Sequence, residues 1–281
     1  MSSRRNFIQN TSLVLVAALQ NPVSGFAAPL KKKTKQEQQT KLPVGIAGYS
    51  FAKFSMEAAI QMMKRIDVTN LSLKDIHLPL NSSDEKIRSV VETFQQAGIN
   101  IYTVGVIYMK TREAVDQAFD YAQKVGVKMI VGVPTYDLLD YAESKVKSTN
   151  IRLAIHNHGP EDALYPGPQQ VWERIKDRDS RMGLCLDIGH ATRAGEDPAR
   201  AVKAYKERLF DLHIKDVSAK AKDGKAIEIG RGVIDFDALI KALEQIKYQG
   251  VCSIEFEKDM QDPLPGLAES LGYFKGTLAA V

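Results

Sequence analysis

The chain has 281 residues, 44% hydrophobic and 26% charged, a composition that excludes a disordered polypeptide. Its formal net charge of +4 belongs to the first 41 residues, which hold seven basic side chains (Arg4, Arg5, Lys31, Lys32, Lys33, Lys35, Lys41) against Glu37. Residues 42–281 carry 31 basic and 33 acidic residues, a net of −2, which argues against a body built for polyanions and so against nucleic acid as a partner.

Residues 1–28 read as an export signal. Arg4-Arg5 precede Phe7, an apolar run covers Leu13–Leu19, and small residues follow at Gly25, Ala27 and Ala28. The paired arginines resemble a twin-arginine signal, which predicts a periplasmic protein. The run is too short to span a membrane, so no stable insertion is expected. Residues 29–41 are polar and basic and read as a flexible linker.

From residue 42 onward, apolar β-rich runs alternate with helical spacing. The runs lie at 44–49, 69–74, 100–107, 128–133, 151–157, 182–188, 208–214 and 251–256. Helices are expected near 55–66, 83–97, 112–125, 136–148, 168–177, 197–206, 235–247 and 264–275. Eight such units in 240 residues predict a single α/β domain over 42–281, a (β/α)8 TIM barrel. An open doubly wound sheet would want a Gly-rich turn after its first strand, and Ala47-Gly48-Tyr49-Ser50-Phe51 is not one.

Strand parity locates a site. In the last four strands one alternate set is apolar, and the other turns ionisable toward its C-terminal end: Ala154, His156 and His158; Gly183, Cys185 and Asp187; Asp211, His213 and Lys215; Ser253, Glu255 and Glu257. Ionisable groups inside a barrel are costly unless paired or ligated, and this fold places its chemistry at that rim. The five histidines (His77, His156, His158, His190, His213) all fall at or just past strand ends. Parity puts Cys185 and Cys252 on opposite sides of the wall, so two free thiols are expected.

His156, Asp187, His213 and Glu255 come from successive strands. Two imidazoles and two carboxylates suit a divalent ion such as Mn, Co, Zn, Fe or Ni better than Ca or Mg. The competing reading is a hydrogen-bonded polar rim without a metal. Tyr49 and His77, at the ends of the first two strands, are candidate pocket residues, although rim packing also accounts for them. Arg231, in Gly230-Arg231-Gly232, could bind a substrate oxygen or be a surface arginine.

The motifs Asp187-Ile188-Gly189-His190, Leu212-His213-Ile214-Lys215-Asp216 and Ile254-Glu255-Phe256-Glu257 resemble the sugar phosphate isomerase/epimerase family of xylose isomerase-like barrels. The resemblance covers residues 42–281. It implies a divalent metal on Asp187, His213 and Glu255, substrate contact by His190, and a carbohydrate substrate. Many members carry a Glu at the end of strand five. Here His156 and His158 stand there, which resembles a His-x-His branch with His156 in the place of the Glu.

The expected reaction is removal of a proton α to a sugar carbonyl through an enediolate. Glu255, His158 and Glu257 are the candidate bases, and Lys215 either donates to a substrate oxygen or forms an ion pair. The acidic last loop, 257–262, lacks an anion cradle, so a non-phosphorylated sugar is expected. The alternatives are a lyase that expels the aglycone of a 3-keto-glycoside, a non-catalytic sugar-binding barrel, and a multi-zinc apurinic endonuclease. The body's charge disfavours the last.

Overall fold

Short β-branched runs that are apolar on both faces need cover on both faces, and a parallel strand can be revisited only through a crossover. The computed structural model, which describes residues 42–281, resolves these demands as a closed barrel. The expected export signal and linker lie outside the described residues.

The barrel strands are β1 (Val44–Ala47), β2 (Asn70–Leu73), β3 (Asn100–Met109), β4 (Met129–Pro134), β5 (Arg152–His156), β6 (Met182–Asp187), β7 (Leu209–Ile214) and β10 (Cys252–Ile254). All pair in parallel, and β1 closes the ring by pairing with both β2 and β10. A two-stranded antiparallel ribbon, β8 (Asp216–Val217) with β9 (Ala226–Ile227), rises after β7.

The helices are α1 (Met56–Arg65), α2 (Asp84–Gln96), α3 (Arg112–Val125), α4 (Leu139–Thr149), α5 (Pro168–Ile175), α6 (Ile188–Arg193), α7 (Pro198–Ala204), α8 (Phe236–Gln245) and α9 (Pro263–Ala280). Local chemistry sets their starts. Ser55, Ser83, Thr111, Asp197 and Asp235 each accept a backbone N–H three residues on, satisfying an orphan donor of the first turn. No helix among the described residues is long and apolar enough to cross a membrane.

Among the departures from the expected boundaries, three bear on how the elements connect. The run 44–49 ends at Ala47, where a 3-10 turn (Gly48–Phe51) takes over. The segment 136–148 divides into a 3-10 turn (Tyr136–Leu138) and α4. Between β6 and β7 there are two helices rather than one, and α6 starts directly on the last residue of β6.

One register shift matters for the site. Leu184 pairs with Leu209, but Cys185 pairs with Asp211 and Asp187 with His213. Without the shift, inward residues of β6 would lie beside outward residues of β7. With it, residues of like parity stand abreast. Cys185 and Cys252 are both buried free thiols.

Candidate metal centre at the C-terminal rim

Four strands deliver four donors. His156 ends β5, Asp187 ends β6, His213 lies on β7, and Glu255 follows β10 while its N–H still bonds Ile214 O. One atom from each lies within 4.8 Å of the others. His156 Nε2 is 3.1 Å from His213 Nδ1 and 3.5 Å from Asp187 Oδ2, and His213 Nδ1 is 3.2 Å from Glu255 Oε2. Bonds of about 2.1 Å to a common ion at tetrahedral or octahedral angles put donors about 3.0–3.4 Å apart, so the spacing fits a shared cation. None of the four is more than 6% exposed.

The local sequence holds Asp187 in place. Its Oδ1 accepts the His190 N–H at 2.8 Å and so caps α6, which leaves Oδ2 for the centre. Asn157 clasps its backbone from both sides, accepting from Asp187 N and donating to Asp187 O, each at 3.0 Å. Gly189 is required by close approach, since a Cβ there would sit 2.3 Å from Lys215 Cγ. The Lys215 stem runs through that gap to Asp187 Oδ2 (3.0 Å), Glu255 Oε2 (2.7 Å) and Glu257 Oε2 (2.9 Å). Three carboxylates against one ammonium leave negative charge in excess, which favours an added cation.

The electrostatics follow. Burial opposes charge on Lys215, yet Asp187, Glu255 and Glu257 outweigh it and hold the ammonium well above its ordinary range. Burial would raise Asp187 and Glu255 too. Interaction with His190 and with the Lys215 ammonium holds Asp187 well below the usual carboxylate range, and Lys215 with His213 does so for Glu255. Burial pushes the His156 pKa far down, so it offers a neutral imidazole. His213 is likewise desolvated, but Glu255 reverses the sign and raises it. Burial lowers His158, and takes His190 down to about 4. Glu257 is raised, first by burial, with the Glu255 charge adding to it.

The cluster opens onto a cavity of about 320 Å³ lined by Tyr49, Lys74, Val106, Tyr108, His156, His158, His190, Glu255 and Glu257. The barrel therefore brings together the expected His156, Asp187, His213, Glu255, Lys215, His158, His190, Glu257 and Tyr49. It does not bring in Arg231 or His77. The Arg231 guanidinium is paired to Glu269 on α9, and neither residue lines the cavity. His77 faces the backbone of Phe51 and Phe54, and burial lowers its pKa. The ion pair expected for Lys215 forms with Glu257 and not with its chain neighbour Asp216. Asp216 instead accepts N–H groups of Val217, Gly230, Gly232 and Ile234 and so anchors the loop after β9.

Lys74 and Tyr108 were not singled out from the sequence. Lys74 Nζ donates to Val106 O at 2.7 Å, and the Tyr108 hydroxyl lies 2.9 Å from His158 Nε2. Lys74 follows the last residue of β2, and Tyr108 lies on β3 beyond a register shift between Val104 and Ile107, where alternation counted from Tyr102 no longer assigns a face.

Residues 76–277 match the family described as the xylose isomerase-like TIM barrel. An inosose dehydratase of Lacticaseibacillus casei is 30% identical over 136 residues, 43% of this chain and 45% of that protein. The matches span about a third to under a half of the curated relatives' length. Two solved structures at 16% identity share the fold. The IOLI protein with a bound zinc atom gives a TM-score of 0.71 over 85% of this chain and 99% of that one. The 3-keto-D-glucoside 4-epimerase of E. coli gives 0.66 over 84% and 99%. With 202 of its 281 residues covered by the family match, the chain belongs to the xylose isomerase-like TIM barrel family.

Proposed function

We propose that the chain is a divalent-metal-dependent enzyme that removes the proton α to the carbonyl of a non-phosphorylated sugar or keto-sugar, in the manner of an isomerase or epimerase. The carrying observation is the buried His156–Asp187–His213–Glu255 set, spaced as ligands and opening onto a cavity that His158, His190 and Glu257 also line. Those four residues would hold the ion, which supplies Lewis acidity toward a carbonyl oxygen when bound. The names of the dehydratase and epimerase relatives support a sugar-modifying reading.

The chain's own groups divide the proton work. Glu255 is engaged with Lys215 and His213 and its pKa is pulled down, which makes it a poor base. Glu257 lines the cavity with a raised proton affinity, so it is assigned as the base, with Lys215 Nζ holding its Oε2. Tyr108 and His158 stand on the β3 and β5 side of the ring, across from β10. That pair is placed to serve a second substrate oxygen. Phosphate recognition is disfavoured, because Lys258, the basic residue of the last loop, is taken by Glu228.

A second reading is favoured by one observation. Strand β5 ends in imidazoles rather than a carboxylate, so a carboxylate on each face of the substrate is lacking. Proton removal by Glu257 followed by expulsion of a β-oxygen, protonated from the Tyr108–His158 side, makes a lyase of 3-keto-glycosides. Proton NMR in deuterated buffer separates the two. Solvent exchange at the α-carbon with a new isomer supports the first; aglycone release without isomer supports the second. Neither exchange nor aglycone release with any keto-sugar or 3-keto-glycoside by the metal-loaded chain would reject both.

We also infer export to the periplasm from residues 1–28. Replacing Arg4 and Arg5 with lysine should retain the chain in the cytoplasmic fraction.

A further inference from the structure

Arg193, at the end of α6, meets three separate pieces of chain with one guanidinium. Its Nε and Nη2 donate to Lys222 O, in the turn between β8 and β9, at 3.2 and 2.6 Å. Its Nη2 pairs with Glu161, in the loop between β5 and α5. Its Nη1 stands 3.4 Å from His190 Nδ1. Gly159, at φ +91°, closes over the same edge of the ring, since a Cβ there would sit 3.2 Å from His190 Nδ1 and 3.4 Å from Arg193 Nη1. The Nδ1 edge of His190 is thus covered by protein while the residue lines the cavity. No protein partner of its Nε2 occurs among the described residues.

A guanidinium carries donors only. An N–H on Nδ1 would point at another N–H, which disfavours the Nδ1–H tautomer and the imidazolium alike. The single proton of the neutral ring then belongs on Nε2. We propose that Arg193 is a positioning residue that fixes His190 as its Nε2–H tautomer, so that His190 presents one N–H donor to the carbonyl oxygen of a keto-sugar in the cavity. The proposal rests on the α-proton reading above. As Glu257 takes the proton from carbon, the electron pair of the C–H bond moves toward that oxygen. His190 donates a hydrogen bond to the growing charge and keeps its own proton, so atoms and charge balance. A preorganised neutral donor in a buried site stabilises such charge without reorganising.

The test is the tautomer itself, read from long-range proton–nitrogen correlation spectra of the zinc-loaded, nitrogen-15-labelled full chain. The His190 signals are assigned by their loss in His190→Gln. The expected result is Nε2–H in the parent and in Arg193→Lys, which keeps a donor. Arg193→Gln should give a mixture of tautomers and a kcat about tenfold lower, with KM changed less than about twofold. Nδ1–H in the parent overturns the proposal whether or not the variants fold. So does an Arg193→Gln chain with the parent's tautomer, or one with an altered tautomer and an unchanged kcat. If no keto-sugar is turned over by the parent but the tautomers behave as stated, the α-proton reading fails while the positioning by Arg193 stands.

Discussion

Two adjacent layers of the barrel interior hold buried polar side chains, and they differ in how those groups are satisfied. In the lower layer the Tyr102 hydroxyl reaches both Asp211 oxygens at 3.1 Å and Ser253 Oγ at 2.8 Å, and the Cys185 thiol points to Asp211 at 3.9 Å. Burial pushes the Asp211 pKa up to about 7, against the pull of His213. The layer closes on itself. In the upper layer His156 Nε2, His213 Nδ1, Asp187 Oδ2 and Glu255 Oε2 crowd on one point, and Asp187 Oδ2 makes no hydrogen bond, although Lys215 lies 3.0 Å from it. Three carboxylates there share one ammonium. Inward residues of β6, β7 and β10 therefore take part in a structural plug below and in an unsatisfied, negatively charged donor set above. Buried polarity alone does not mark a metal site; polarity with donors left over does.

The comparison breaks first at the ligands. His156→Ala or Asp187→Ala should abolish stoichiometric metal binding and lower turnover by at least about 100-fold, measured by metal content and initial rates. Asp211→Asn, one layer down on the same strands, should leave metal content at the parent level. If it strips the metal as the ligand variants do, the two layers are not distinct.

Asp211 sharpens the comparison through pH. Its folded pKa of about 7 lies above the unfolded value, so between those values the folded chain binds a proton that the unfolded chain releases. The Asp211 contribution is fully present at low pH and is lost as pH rises toward 7. The stability of the parent minus that of Asp211→Asn should fall by roughly 2 kcal/mol between pH 5 and pH 8, read from denaturant unfolding of the metal-free chain. A difference that is flat or rises with pH would contradict the placement of this carboxyl.

The smallest effect is expected far from both layers. Arg231 and Glu269 form an exposed pair, so Arg231→Ala should cost less than about 1 kcal/mol. It should leave KM for the substrate unchanged. A raised KM would return Arg231 to the cavity.

Alternation of side chains along β5, β6, β7 and β10 made the rim legible, because a period of two assigns a face to every residue once the strand is recognised. The strand-end donors followed from that rule. Arg231 did not, because its partner lies 38 residues away on α9, and local pattern carries no record of such pairing. Nor did α6 or Asn157. The Asp187-x-x-His190 spacing read as chemistry, although the same carboxylate also caps a helix, and Asn157 acts on Asp187 through backbone groups. Tyr108 lay past the expected end of strand three at 107, while β3 continues to Met109 beyond an irregularity between Val104 and Ile107.

The central claim is that the upper layer is a metal centre. Elemental analysis of the full chain, purified without chelator and compared with His156→Ala, tests it most directly. The account predicts a single divalent transition-metal ion per chain in the parent and background levels in the variant. A parent that binds none after exposure to Mn, Co, Zn, Fe and Ni, or a variant that binds as well as the parent, would contradict it.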